Sequence, residues 1–389
     1  MSSPAAVREV DAIPWAPLAG VIATVSIFAI AQGLSYPLLS FILERQGHSA
    51  GAIGLSAAML PLGLIASSAL IPSVVRRFGP GPVALSCAVL GAMLLALIGW
   101  TQDIVAWFPL RFLVGVVIGP LYVVSETWII ALSPPARRGR ILGLYTSVIS
   151  AGFAAGPLSL ILVGTEGWPP FLIGIAAFAV CAAILAVLLS RLPRLDEAGG
   201  RASVRGFLPL APILLLAVIV SAGVEQCMFS LLPVYGLGHG LDPERMSMVL
   251  AVLISGSIAL QMPLGFAAER WRPRPVLIAC ATATACGSLL LPLAIATPLV
   301  WPLVFVWGAL AYGIYTLSLA ELGERFSGAM LVAGNSAFAL MWGIGGIAGP
   351  PAAGLAMDAI GLQGFPFTLA LICFGLVATA LLASRDRSA

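Results

Sequence analysis

Gly265-Phe266-Ala267-Ala268-Glu269-Arg270-Trp271-Arg272-Pro273-Arg274 is an arginine-rich turn between two long apolar stretches, and it has a counterpart 193 residues earlier in Pro72-Ser73-Val74-Val75-Arg76-Arg77-Phe78. The same shift carries Pro82-Val83 onto Pro275-Val276. Moving outward, it carries Gly63 onto Gly256, Gly115 onto Gly308, Tyr122 onto Tyr315, Gly152 onto Gly345 and Gly156-Pro157 onto Gly349-Pro350. No net insertion intervenes, so the chain reads as two copies of one unit. A doubled unit built of hydrophobic helices is the sequence signature of membrane carriers whose substrate site lies between the copies.

With 60% hydrophobic and 9% charged residues, the 389-residue chain has too little polar surface to cover a soluble body. Runs of about 20 apolar residues, enough to cross a hydrocarbon layer of roughly 30 Å, recur along it. They predict an all-α membrane protein of twelve transmembrane helices in two six-helix halves related by a parallel repeat. The predicted spans are 16–43, 51–71, 82–101, 104–132, 141–163 and 171–190, then 208–236, 246–268, 275–296, 299–322, 329–355 and 365–384. The halves are residues 1–191 and 207–389, joined by a polar linker, 192–206.

All 19 basic residues are arginine, and positive charge is retained on the cytoplasmic side during insertion. Placing both termini in the cytoplasm puts Arg8, Arg76, Arg77, Arg137, Arg138, Arg140, Arg270, Arg325 and most of the others there. Only Arg45 and Arg245 then lie outside, and Arg111 lies within a span. The expected location is therefore the inner (plasma) membrane. The net charge of +3 is accounted for by these loops and argues for no nucleic-acid partner. The six cysteines fall in apolar spans without metal-ligand spacing, so neither disulfides nor a metal site is expected. No cofactor motif is present. The absence of a phosphate-binding G-x-x-x-x-G-K-[ST] loop disfavours a primary pump. His48 and His239 fall in predicted loops, and no H-E-x-x-H or G-x-S-x-G pattern supports an enzyme.

At this point the residues resemble the major facilitator superfamily over essentially the whole chain. Its loop signature, G-x-L-A-D-R-x-G-R-R, is similar to residues 265–274, with Glu269 for Asp and Arg272 for the later Gly. In the first copy Pro72 replaces Gly and Arg76 takes the acidic position. The resemblance implies a gating latch at Arg76, Arg77, Glu269 and Arg270, in which Arg76 cannot supply the carboxylate. Arg111-Phe112-Leu113-Val114-Gly115 resembles a fourth-helix motif of proton-coupled members. Gly152-Phe153-Ala154-Ala155-Gly156-Pro157 resembles a fifth-helix motif linked to antiporters, and Gly345 to Pro350 repeats it. Physically, Gly152, Gly156, Pro157, Gly345, Gly349 and Pro350 read as close helix packing plus a kink. Ser125-Glu126-Thr127-Trp128 with Arg138-Gly139-Arg140 and Tyr145 looks like the YcaD-like bacterial branch.

A charged side chain at mid-membrane costs about 2.5–3.5 kcal/mol on insertion scales, so each one needs a reason. Glu225, central in the seventh span, is the leading candidate to take up and release a proton, and the repeat sets Gln32 opposite it. Its bland reading is a neutral acid bonded to a neighbouring helix. Arg111 is expected to face the cavity, with snorkelling to the surface as the alternative. Glu126, about 22 Å along the same helix from Arg111, cannot pair with it and is expected near the cytoplasmic end, either as a structural or gating acid beside the arginine-rich fourth loop or in direct proton or substrate contact, so that Glu225, Glu126 and Arg111 are the candidate proton-coupling residues. Gln32, Tyr36, Tyr122, Gln226, Tyr315 and Asn335 are candidate cavity residues, against a plain packing role for each aromatic ring. Gln261 is expected to bond between helices, Glu321 to join a charge cluster with Arg325, and Asp358 to sit solvated past the end of the eleventh span.

The expectation is a secondary active transporter of a small organic molecule. It works by alternating access, coupled to protons, favouring efflux by antiport and sufficient as a monomer in the lipid bilayer. An importer, an uncoupled facilitator and a non-transporting membrane sensor are the other readings.

Overall fold

The computed structural model describes residues 15–133, 138–190, 192 and 204–385. The expected linker falls mostly outside them, as do Arg8, Arg137, Arg191, Arg194, Arg201 and Arg387. Among the described residues the regular structure is helical. Twelve helices are long and apolar enough to cross a membrane. They are α1 (Trp15–Arg45), α2 (Ala50–Ser68), α3 (Pro80–Thr101), α4 (Ile104–Leu132), α5 (Arg138–Val163) and α6 (Pro169–Leu188), then α7 (Pro212–Ser230), α8 (Pro243–Trp271), α9 (Pro273–Ala294), α10 (Val300–Arg325), α11 (Gly328–Ile360) and α12 (Gly364–Arg385). Short helices at Ile71–Phe78, Val204–Phe207 and Leu232–Gly238 complete the set.

Local chemistry sets the turns. On the side opposite the termini, called the far side below, Ser49, Asp103 and Asp242 cap α2, α4 and α8 by accepting backbone N–H bonds from Ala52, Ala106 and Arg245. The predicted seventh span divides in two: α7 stops at Ser230, and a new helix begins at Leu232 around Pro233, whose missing N–H suits a first turn. Conversely, α11 runs five residues beyond its predicted end despite Pro350 and Pro351. Asp358 therefore lies in its last turn, not in a loop.

The doubled sequence becomes a doubled set of contacts. A Cβ on Gly63 would strike the carbonyl oxygen of Phe112, and one on Gly256 would strike that of Phe305; these are equivalent positions in the two halves. Gly115 meets the Leu60 carbonyl as Gly308 meets that of Leu253, and Gly152 meets Ser26 as Gly345 meets Ile219. In hydrocarbon there is no hydrophobic drive between helices, so association rests on close backbone approach at such small residues. Five cysteines are buried in this packing and Cys286 is exposed; all six are free thiols.

Gly79 and Arg272 are repeat equivalents that open α3 and α9. Both take left-handed backbone, with φ of 84° and 69°. Glycine adopts it freely, whereas for arginine it costs about 1–3 kcal/mol. Replacing Arg272→Gly is therefore expected to raise the melting temperature of the purified protein, and an unchanged or lower value would show that the arginine side chain offsets the strain.

Candidate functional site

The site forms where α1 and α7 meet at the centre. Each helix is drawn in by glycine. Gly33 of α1 packs on the Phe153 backbone of α5, and Gly223 of α7 packs on Gly349 of α11. This closeness brings Gln32 and Tyr36 of α1 to Glu225, Gln226 and Phe229 of α7. Tyr36 and Phe229 are themselves repeat equivalents, and their rings stack across the two halves at 5.6 Å and 24°. Phe153 and Tyr312 extend the aromatic cluster around Phe229, at 5.8 and 6.4 Å.

Glu225 is half-buried at this junction. The indole Nε1 of Trp342, from α11, donates to its Oε2 at 3.3 Å, and the Tyr312 hydroxyl, from α10, donates to the same carboxylate. The salt bridges within the described residues are Arg45–Glu166 and Arg325–Glu321, so Glu225 is held by neutral donors. Gln226 turns the other way, as its place next in the helix requires. It is buried among Gly346, Pro61 and the Tyr36 hydroxyl, with its Oε1 unpaired. Gln32 is also buried.

Arg111 does not snorkel; it is buried and lines a small cavity with Gln32 and Tyr36. It is 3% exposed, and its Nη1 donates to Ser56 Oγ of α2 at 3.1 Å while its Nε has no partner. Tyr36 stands beside it, with Glu225 acting on the same ring. The reason is steric. The carbonyl of Leu60 lies against Gly115, one turn on, and draws α2 across the guanidinium.

Exposure then grows along α4, from buried Arg111 through half-buried Tyr122 to exposed Glu126. It falls along α11, from exposed Asn335 through half-buried Trp342 to buried Gly346. A cavity between the halves thus opens toward the side of the termini. Glu126 acts electrostatically on Tyr122 and Tyr145 of its own half and on Tyr315 of the other, and Tyr122 and Tyr315 also feel Glu225. Its described surroundings include these tyrosines; the side chains of Arg137, Arg138 and Arg140, the arginine loop expected beside it, lie outside the described residues. Tyr122 packs edge-on to Phe28 at 4.8 Å, and Tyr315 lies near Phe338 at 6.4 Å.

The far side is closed by α2 against α11. Gly54 abuts the Pro350 carbonyl, Gly354 abuts that of Ala50, and Asp358 accepts the Gly51 N–H at 3.0 Å. Asp358 is exposed, as expected, but it lies in the last turn of α11 as an acid at the positive end of α2. Gln261 accepts from Thr316 Oγ1 at 2.8 Å, and Glu321 pairs with Arg325 at 3.2 Å. The turn residues Arg76, Arg77, Glu269 and Arg270 are all exposed, Arg77 over the ring of Phe78. Among the described residues, no group of His, Cys, Asp and Glu is placed to hold a metal.

Sequence reasoning missed Tyr312, Trp342, Phe229 and Ser56. Phe229 carried a readable signal, as the repeat equivalent of Tyr36. Tyr312 also carried one, a turn before Tyr315 on one face of α10. Trp342 and Ser56 have only a helical-face relation to Asn335 and Arg111 through helices whose rotation the sequence does not give.

The family model described as Major Facilitator Superfamily matches residues 21–327 and 214–389. The chain belongs to this superfamily and is a secondary transporter. It is 27% identical over 343 residues to the uncharacterized MFS-type transporter YfkF of Bacillus subtilis (strain 168), covering 86% of this chain and 87% of that one. It is 26% identical over 345 residues to YcaD of Shigella flexneri, with 85% and 86% coverage. Among solved structures, the nucleoside transporter NupG superposes with a TM-score of 0.80 at 14% identity, over 94% of this chain and 98% of that one. A bacterial homolog of the human lysosomal transporter Spinster, inward-facing and unoccupied, gives 0.80 at 17%, over 96% and 98%. A D-xylose-proton symporter gives 0.73 at 16%, over 95% and 97%. At these identities the structural likeness establishes the fold alone.

The Asp358 contact joins the two halves, so its loss is expected to loosen far-side closure. Spin labels at Trp168 and Leu299, both exposed at that end, should show a larger long-distance population in Asp358→Asn than in the parent by double electron–electron resonance. Identical distance distributions would exclude a closing role.

Proposed function

We propose that the chain moves a small organic molecule by alternating access in exchange for protons, with Glu225 as the proton carrier. The observation that supports this reading is the setting of Glu225: a carboxyl inside the membrane, at the contact of both halves, bonded by Trp342 and Tyr312 rather than by a basic residue. An ionised acid without a counter-charge is costly there, and a bound proton removes the cost. A rocking of the halves about the Tyr36–Phe229 contact presents the same carboxyl to each side in turn.

In this reading Gln32, Tyr36, Tyr122, Gln226, Tyr315 and Asn335 line the substrate path, and Glu126 forms its mouth. Arg111 is a fixed positive charge behind Tyr36. The turns carrying Arg76, Arg77, Glu269 and Arg270 act as gates for the opposite state. The motif residues Arg111 to Gly115 and Gly152 to Pro157 favour antiport and efflux. The arginine distribution favours the inner membrane with both termini in the cytoplasm. One six-helix half, 1–191, and the other, 207–389, joined at 192–206, suffice as a monomer.

The test begins with a compound that raises the melting temperature of the purified protein in a screen of metabolites and drugs. In vesicles containing a pH-sensitive dye, a gradient of that compound should drive proton movement by the parent protein. Glu225→Gln should abolish the proton signal, keep exchange of labelled for unlabelled compound, and keep the parental melting temperature. Undiminished proton movement by the variant would remove Glu225 from coupling.

A further inference from the structure

Inside the first half, a cavity of about 20 Å³ runs from Gln32 and Tyr36 to Arg111. In the measure by which a single water needs about 10–15 Å³, it holds one small particle. Its polar lining comes from Gln32, Ser35, Tyr36 and Arg111, set in an apolar wall that includes Val114 and Phe178. Gln32, Tyr36 and Arg111 can each donate a hydrogen bond, whereas Ser35 gives its hydroxyl proton to the Ala31 carbonyl, and no carboxylate lines the space. Arg111 contributes a buried Nε–H without a partner.

The guanidinium is 3% exposed, and its hydrogen bond goes to the neutral Ser56. Burying one member of an ion pair without the other costs several kcal/mol. Glu225 acts on the same Tyr36 hydroxyl as Arg111, but its carboxylate is engaged by Trp342 and Tyr312. Charge balance is therefore missing on the Arg111 side. The geometry points to a monatomic anion, a chloride or another halide, bound in this cavity as the counter-ion of Arg111. An organic acid is too large for the space. A halide suits the mixture of N–H and O–H donors with apolar wall, and its place against Tyr36 links it to the ring that stacks on Phe229 across the halves.

The inference stands apart from the proton-exchange reading, because it concerns a monatomic ligand on the Arg111 side of Gln32 and Tyr36. It is tested by thermal unfolding of the full-length purified protein in sodium chloride, sodium bromide and sodium gluconate at equal ionic strength. Chloride and bromide should each raise the melting temperature by a few degrees in a saturable manner, and gluconate should not. Arg111→Gln should lose the halide response. Val114→Ile, which keeps every polar group and fills the space, should lose it as well, and it decides the matter if Arg111→Gln does not fold. Equal melting temperatures in the three salts would overturn the site in favour of a water. A halide response retained by Val114→Ile would overturn it in favour of a general salt effect.

Discussion

The structure turns on one carboxyl group that has no salt bridge among the described residues. Glu225 sits at the junction of the halves, where hydrocarbon surrounds the bundle and the available donors are an indole N–H and a phenol O–H. A salt bridge would fix it in one charge state. In the proposed reading, neutral donors leave both states accessible, and the difference between them becomes a handle on the contact of the two halves. The stacked rings of Tyr36 and Phe229 place that handle on the pseudo-symmetry axis. The rest of the bundle serves to bring α1 and α7 close enough for this contact.

That closeness comes from backbone packing. In water, burial of apolar side chains would hold helices together; in lipid that drive is absent, and glycine contacts take its place. The contacts at Gly63, Gly115 and Gly152 recur at Gly256, Gly308 and Gly345 against equivalent carbonyls, so the two halves are built by the same rule. In the proposed reading, function resides where the copies differ. Glu225 answers Gln32, Phe229 answers Tyr36, Val304 answers Arg111, and Leu319 answers Glu126. Far-side closure also breaks the symmetry, with Asp358 seated on the first turn of α2.

The fold was legible because its signals are local or periodic: apolar length, turn arginines and a constant shift of 193 between equivalent residues. Residues singled out by cost, such as Glu225 and Arg111, were legible for the same reason, since a charge in an apolar run stands out. Their surroundings were not. Whether Arg111 meets solvent, cavity or Ser56 depends on how α2 crosses α4, and Trp342 reaches Glu225 only through the rotation of α11. Asp358 was placed past the end of the helix because the apolar run was closed at residue 355, whereas the helix continues to Ile360. Tertiary contact, more than local preference, sets such ends.

The most direct test of this account is infrared difference spectroscopy of the carboxyl C=O stretch in membranes, comparing the parent protein with Glu225→Gln across a pH titration. The account predicts a protonated-carboxyl band that disappears as pH rises and is missing from the variant. A Glu225 band that persists at every pH, or a carboxylate that never acquires a proton, would contradict it.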